Sequence, residues 1–400
     1  MKKKLLQLID ILFLNNYIRL FFKKIFHILE RILNKIDTKE TLSLDNDLNI
    51  EEIKKSTISY IKSLCVKKNN TLLGYKHSHS CTKTNLYSLI SVLLIKHLFK
   101  IEEDTEKEIN ILKNFQFKDG IFRDKNIDCS YAETGDDWGW RHLTLHALMT
   151  LDLYSIKSNY PIKLALDLDL TNIKKKLLAF DWNTKLPWTS NAVQNLSVFL
   201  QYNRKYFNQN NADEVLKIII EFINSKQSKE TGLFLDKFEN FNQLSDSVQS
   251  AYHFWLIYFS EDIEINYMEK IIDNVLKTQN FIGGFGYKLN SSACEDIDSI
   301  DILLRLSKKT KYRFNEIKDC LNKSIPAILN NLNRDGGWVF RRDESLKIVH
   351  NEMFSFKNES NLFYTWFRLL AFCYSSTYSD NFKYDWNLLD KKIGHQFKNW

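Results

Sequence analysis

Four short segments of this 400-residue chain share one pattern, and their spacing constrains the fold more than any other feature. Gln116-Phe-Lys-Asp-Gly120-Ile-Phe122 and Gln279-Asn-Phe-Ile-Gly283-Gly-Phe285 both read Q-x-x-x-G-x-F. Leu332-Asn-Arg-Asp-Gly336-Gly-Trp338 has the same shape with Leu in place of Gln, and Ser228-Lys-Glu-Thr-Gly232-Leu-Phe234 is a weaker copy. The closing aromatics are separated by 112, 51 and 53 residues, so the first gap holds two periods and a copy is expected near Trp182-Asn-Thr-Lys-Leu-Pro-Trp188. Each copy lies between two apolar stretches of helical periodicity. A period near fifty with two helices per unit is the mark of a helical repeat array, in which each unit buries its apolar face on its neighbours.

Composition agrees. Three prolines and eleven glycines are few for a turn-dense β architecture, and 44% hydrophobic residues can fill a large core. The second helix of each unit is expected to begin near Cys81, Asp136, Ser190, Ser245, Cys294 and Ser360. Six hairpins can close into a ring with the second helices lining its centre, so the fold class expected is all-α, an α/α toroid, although an open solenoid would show the same period. Residues 55–400 form this domain, residues 37–54 read as a polar linker, and residues 1–36 as a basic amphipathic helical segment. That first segment either docks on the toroid or lies on an anionic membrane surface.

The net charge of +7 is spread along the chain without a compact basic block, which argues against nucleic acid as a partner. Cys65, Cys81, Cys129, Cys294, Cys320 and Cys373 are scattered with no C-x-x-C, as expected of reduced thiols in a cytoplasmic protein. The early apolar stretch carries Asp10 and lacks the cleavage site of a signal peptide.

Chemistry concentrates at the starts of the expected inner helices. Glu295, Asp296, Asp298 and Asp301 place four acids in seven residues. Crowded and buried, some of them should hold a proton near neutral pH, and a protonated carboxylic acid facing a cavity can donate it. The stretch 131–142 contributes Glu133, Asp136, Asp137, Trp138, Trp140, Arg141 and His142, which read either as a cavity wall or as an N-cap with packed tryptophans. Other inner helices open with Asn191 and Gln194, with Asp246, Gln249 and His253, and with Asn361, Tyr364 and Arg368. One such group is usually a satisfied core residue, whereas recurrence on every inner helix points to a shared polar funnel. His142 and His146 are four apart, but no H-E-x-x-H pattern accompanies them, so neither a metal nor another cofactor is expected.

The turns resemble those of the terpene cyclase and protein prenyltransferase superfamily, whose α/α toroids carry Q-x-x-x-G-x-W repeats. The resemblance covers roughly residues 55–400. In the zinc-dependent prenyltransferases an Asp and a Cys follow a GGF-type turn and a His lies on the last inner helix. Here Cys294 and Asp296 stand near the first two places and Tyr364 stands at the third, which leaves too few ligands for zinc. Class II terpene cyclases carry D-x-D-D, and Asp296-Ile297-Asp298-Ser299 matches three positions, with Ser299 in place of the last Asp. The resemblance implies acid-initiated chemistry on an isoprenoid, with Asp298 as proton donor and Asp296 and Glu295 tuning it. A lipid substrate would fit a segment 1–36 held at a membrane surface. Two alternatives stay open: a glycan-active enzyme using paired carboxylates, and a toroid that binds a small molecule without catalysis. A mostly aromatic cavity would favour the first reading, and amides with paired acids the second.

Overall fold

In a computed structural model of the protein, residues 49–127, 139–347, 352–390 and 392–398 are described. Helix α1 (Ile50–Ser63) opens at a capping box in which Asn49 accepts from the Glu52 amide and Glu52 reaches back to the Asn49 amide. It therefore begins inside the stretch 37–54 that reads as linker, because this local capping chemistry sets the start. A hairpin of β1 (Cys65–Lys68) and β2 (Thr71–Tyr75) leads to α2 (Leu86–Leu98). There follow α3 (Thr105–Asn114), α4 (Trp140–Leu153), α5 (Lys163–Leu166), α6 (Leu170–Ala179), α7 (Leu186–Phe207), α8 (Ala212–Lys226) and α9 (Phe241–Glu261). Then come α10 (Met268–Lys277), α11 (Ala293–Lys309), α12 (Phe314–Leu329), a two-residue pair β3 (Leu346–Lys347) with β4 (Phe354–Ser355), and α13 (Leu362–Ser375).

The helices fall into two kinds. α1, α3, α8, α10 and α12 bury one stripe and expose the other. α2 and α13 are buried along every residue, and α4, α7, α9 and α11 along most. A helix buried all round belongs inside. The contacts show how: α2 packs on α4, α4 on α7, α7 on α9, α9 on α11, α11 on α13, and α13 back on α2. The ring closes, and the expected α/α toroid is found. The inner helices start within five residues of the positions read from the repeat.

The repeated turns fasten the outer layer. In the second and fifth hairpins the turn Gln and Phe form a bridge pair, as do Leu332 and Trp338. Gln116 donates to Gly120 O at 2.9 Å and to Tyr160 O at 2.8 Å, and Gln279 donates to Gly283 O at 3.0 Å and to Cys320 O at 2.8 Å. Each glutamine thus ties its own turn to the next hairpin. Gly283 has φ +105°, and a Cβ there would run into the Lys323 carbonyl, so only glycine fits. Gly336 meets Ser56 of α1 in the same way and accepts from Thr57 Oγ1 at 3.0 Å, which closes the outer layer as well.

Two readings of the repeat change. In the weak copy the working residue is Gln227, which bonds Gly232 O and Asn266 O across one extra residue, so aligning Ser228 hid it. Around 182–188 Asp181 instead gathers the Asn183 and Thr184 amides, and Trp188 already lies in α7.

The ring's two ends differ. The inner helices' N-terminal ends surround an open cavity. Their C-terminal ends are stopped by residues 392–398: Lys392 donates to Asp152 O on α4, Gln396 to Leu94 O on α2, and Phe397 O accepts from Arg305 on α11 and Tyr374 on α13. Among the described residues no helix is long and apolar enough to cross a membrane.

Candidate active site

The cavity encloses about 530 Å³. It is lined from the N-terminal parts of α4 (His142, His146), α7 (Pro187, Trp188, Asn191), α11 (Cys294, Glu295, Asp298) and α13 (Phe363, Tyr364, Phe367), and from the first four turns of α9 (Asp246, Gln249, His253). Loops add Thr184, Tyr287, Ser292, Phe340, Arg341 and Lys347, and the terminal stopper adds His395.

Helix α11 orders the acids. Ser292 caps it, accepting from the Glu295 amide at 3.2 Å, while Glu295 accepts from the Ser292 amide at 2.8 Å. The Glu295 carboxylate also pairs with Arg341 at 3.0 Å. Asp296 turns away from the cavity. It accepts from the Phe285 amide at 2.9 Å and from Ser291 Oγ at 2.8 Å, and it is ion-paired with the fully buried Arg368. Arg368 spends its remaining donors on the carbonyls of Ser291, Val339 and Phe340. Asp296 therefore locks the repeated turn to α11 and α13. Asp301, deeper in the ring, is ion-paired with Arg305, which also donates to Phe397 O.

Asp298 is different. It is 2% exposed, lies on the cavity wall, and has no hydrogen-bond partner among the described residues. Burial pushes its carboxyl well above the ordinary value, and the negative charges of Asp301, Glu295 and Asp296 push it further. Burial alone would raise Asp301 more, but Arg305 holds it to about 6. On the neighbouring helix α9, burial and then Glu295 raise Asp246. Burial, followed by Asp298, lifts the Cys294 thiol well above its usual range, so it stays protonated beside Tyr364.

Three of the cavity's imidazoles are held neutral. Burial lowers His146 to about 4 and His253 to about 3, and lowers His395 well below its ordinary value. Their Nδ1 atoms are engaged by His142 O, Ser190 Oγ and Tyr252 OH respectively. His142 Nδ1 meets Tyr87 OH at 2.8 Å. Among the described residues no group of three or more His, Cys, Asp or Glu is arranged to hold a metal ion.

Of the residues singled out from the sequence, the structure brings together Glu295, Asp298, His142, Asn191, Asp246, Gln249, His253 and Tyr364. Several others are buried elsewhere because a buried polar group needs partners and found them in the fold. Asp296, Asp301 and Arg368 are taken up by ion pairs, and Asn361 caps α13 by accepting from the Tyr364 amide at 3.0 Å. Trp140 is packed at the start of α4 with Arg141 half-buried beside it, and neither lines the cavity. Gln194 sits one turn below Asn191 with its amide buried. Glu133, Asp136, Asp137 and Trp138 lie outside the described residues, as does the segment 1–36.

Sequence reasoning missed the loop residues and His395. Tyr287 and Phe340 each stand two places after the closing aromatic of a turn copy, Phe285 and Trp338, so the repeat itself carried that signal. Nothing comparable marks His395.

No protein-family model matches the chain, and no curated protein does. Among solved structures, the chain is similar to a protein described as a possible member of GH105 family from Klebsiella pneumoniae subsp. pneumoniae. The two share 10% identity over 84% of this chain and 96% of that one, with a TM-score of 0.43. The toroid itself stands on the closed ring of helix contacts.

Proposed function

We propose that the protein is a carbohydrate-active enzyme that cleaves a glycosidic bond, with Asp298 as the proton donor. One observation carries this reading: a buried carboxylic acid without a hydrogen-bond partner among the described residues faces a cavity that mixes aromatic planes with amides, hydroxyls and imidazoles. Sugars need that mixture. Trp188, 51% exposed at the mouth, offers a flat face, as do Tyr287 and Phe340. Asn191 and Gln249 offer paired donors and acceptors to ring hydroxyls.

In the proposed reaction the Asp298 hydroxyl protonates the glycosidic oxygen as the bond from that oxygen to the anomeric carbon breaks. Asp246, on the neighbouring helix, is the second carboxylate and stabilises the positive charge that develops on the sugar. Water then adds to the anomeric carbon and gives a proton to the Asp298 carboxylate, which completes the hydrolysis and restores the acid. This division between a protonated acid and a charged partner is the general logic of glycoside hydrolysis. Raising the acid's pKa by burial and like charge is how such a donor stays loaded near neutral pH.

The same lining weighs against an isoprenoid cyclase. Carbocations require walls free of nucleophiles, and here three neutral imidazoles and a thiol reach the cavity. Asp296, the first acid of the D-x-D-S match, is committed to Arg368.

Incubation with a panel of 4-nitrophenyl glycosides and natural oligosaccharides tests the reading. The expected result is release of nitrophenol or new reducing ends, lost in Asp298→Asn. Turnover that survives that substitution removes Asp298 from the role. Saturable sugar binding without turnover would make the toroid a binding module, and cyclisation of a polyprenyl substrate would restore the isoprenoid reading.

A further inference from the structure

The terminal stopper does more than fill space. Its bonds to α2, α4, α11 and α13 leave His395 between the packed end of the ring and the cavity, and His395 is the one cavity-lining residue contributed by residues 392–398. Its Nδ1 meets Tyr252 OH of α9 at 2.9 Å, and its ring stacks on His146 at 5.4 Å. Gly394, at φ +84°, lies so close to Met149 that a Cβ would collide with it, which fixes the backbone just before the ring. The imidazole is thus held at one nitrogen, and Nε2 has no hydrogen-bond partner among the described residues. His146 Nε2 is fully buried, whereas His395 Nε2 is not.

We propose that residues 392–398 form the floor of the site and that His395 Nε2 contacts the bound substrate directly, as a neutral hydrogen-bonding group held in place by Tyr252. The inference deepens the glycan reading and rests on it for the identity of the substrate. That Nε2 opens on the cavity does not depend on it.

Two substitutions separate the ring's nitrogens. A glutamine amide reaches about as far as Nε2, and an asparagine amide about as far as Nδ1. On a glycoside that the wild type turns over, His395→Gln should keep kcat/KM within about threefold. His395→Asn should lose about tenfold, chiefly through KM, as expected for one lost neutral hydrogen bond to substrate. The reverse order, or equal activity in both, would overturn the proposal, because the histidine would then serve only its bond to Tyr252. A ligand-independent arm uses His395→Ala. The void it leaves should open on the cavity and take up imidazole, so that millimolar imidazole raises the melting temperature of this variant and not of the wild type. No such rise would overturn the proposal even if glycosides are turned over. A rise in a protein that turns over no glycoside would keep the floor and discard the glycan reading.

Discussion

On helix α11 the cavity wall and the packed interior both bury carboxylic acids, and they neutralise them by different means. In the packed parts a guanidinium does it: Arg368 for Asp296 and Arg305 for Asp301. On the wall no cation bonds Asp298 among the described residues, and burial with neighbouring negative charge raises its carboxyl well above the ordinary value, which favours the protonated form. Ionised carboxylates cannot be buried alone, so these are the two available solutions. The first fixes structure, since removing either partner strands the other. The second leaves a group that can give its proton to something else. One residue separates Asp296 from Asp298, and that spacing divides architecture from chemistry.

The largest effect should come from the wall. Asp298→Asn is expected to lower kcat on the order of 10³-fold, the usual scale for losing a general acid. It should leave the fold intact, because Asp298 bonds nothing that holds the helix. The variant should even be the more stable at high pH. With its pKa raised in the folded state, Asp298 contributes stability below the ordinary carboxyl value, and that contribution is lost as pH rises through the folded value. Asparagine has no such loss. Urea unfolding at pH 6 and pH 9 checks this, and a variant less stable than the wild type at both would erase the contrast between wall and interior.

The interior should behave the opposite way. Asp296→Ala is expected to cost about 3–5 kcal/mol, because Arg368 would remain buried without its counter-ion. Denaturant melts measure it directly. A cost below about 1 kcal/mol would mean that the two kinds of acid differ less than their contacts indicate.

Between the two lies Gly286, at φ +93°, where a Cβ would strike the Glu295 carboxyl. Gly286→Ala should therefore cost about 2 kcal/mol, combining the penalty for a left-handed alanine with the displacement of Glu295. If it proves neutral, Glu295 is loosely held and its influence on Asp298 is correspondingly weak.

How much of this was legible follows from how far apart the partners are in the chain. The turns were legible because glutamine and glycine act locally, on a carbonyl four residues away. The period was legible because each hairpin repeats that device, and one inserted residue was enough to hide Gln227. The acids of 295–301 were legible as a helix start. Arg305, one turn from Asp301, is a local partner, but the pairing of Glu295 and Asp296 was not legible, because Arg341 and Arg368 reach them from 46 and 72 residues away. Closure of the ring joins α13 to α2 across most of the chain, and no local pattern encodes it. His395 was illegible for the same reason: it belongs to no repeat, and only the finished ring gives it a cavity to face.

The finest test of the contrast asks whether Glu295 tunes Asp298 or merely caps the helix. Glu295 does both: it closes the capping box with Ser292, and its charge helps keep Asp298 protonated. Glutamine at N3 also completes a capping box, so Glu295→Gln keeps the helix start and removes only the charge. Arg341, left with only its 3.4 Å pair with Glu344, then acts on Asp298 in the same direction. Both changes favour the ionised form of Asp298, so its pKa should fall. Because the reaction uses the protonated acid, activity declines as pH rises through that pKa, and the alkaline limb of kcat/KM should move to lower pH by roughly 0.5–1 unit. The rate on the plateau below the limb should change little. An unmoved limb with unchanged stability would leave Glu295 as a capping residue, and burial alone would then have to keep the proton on Asp298.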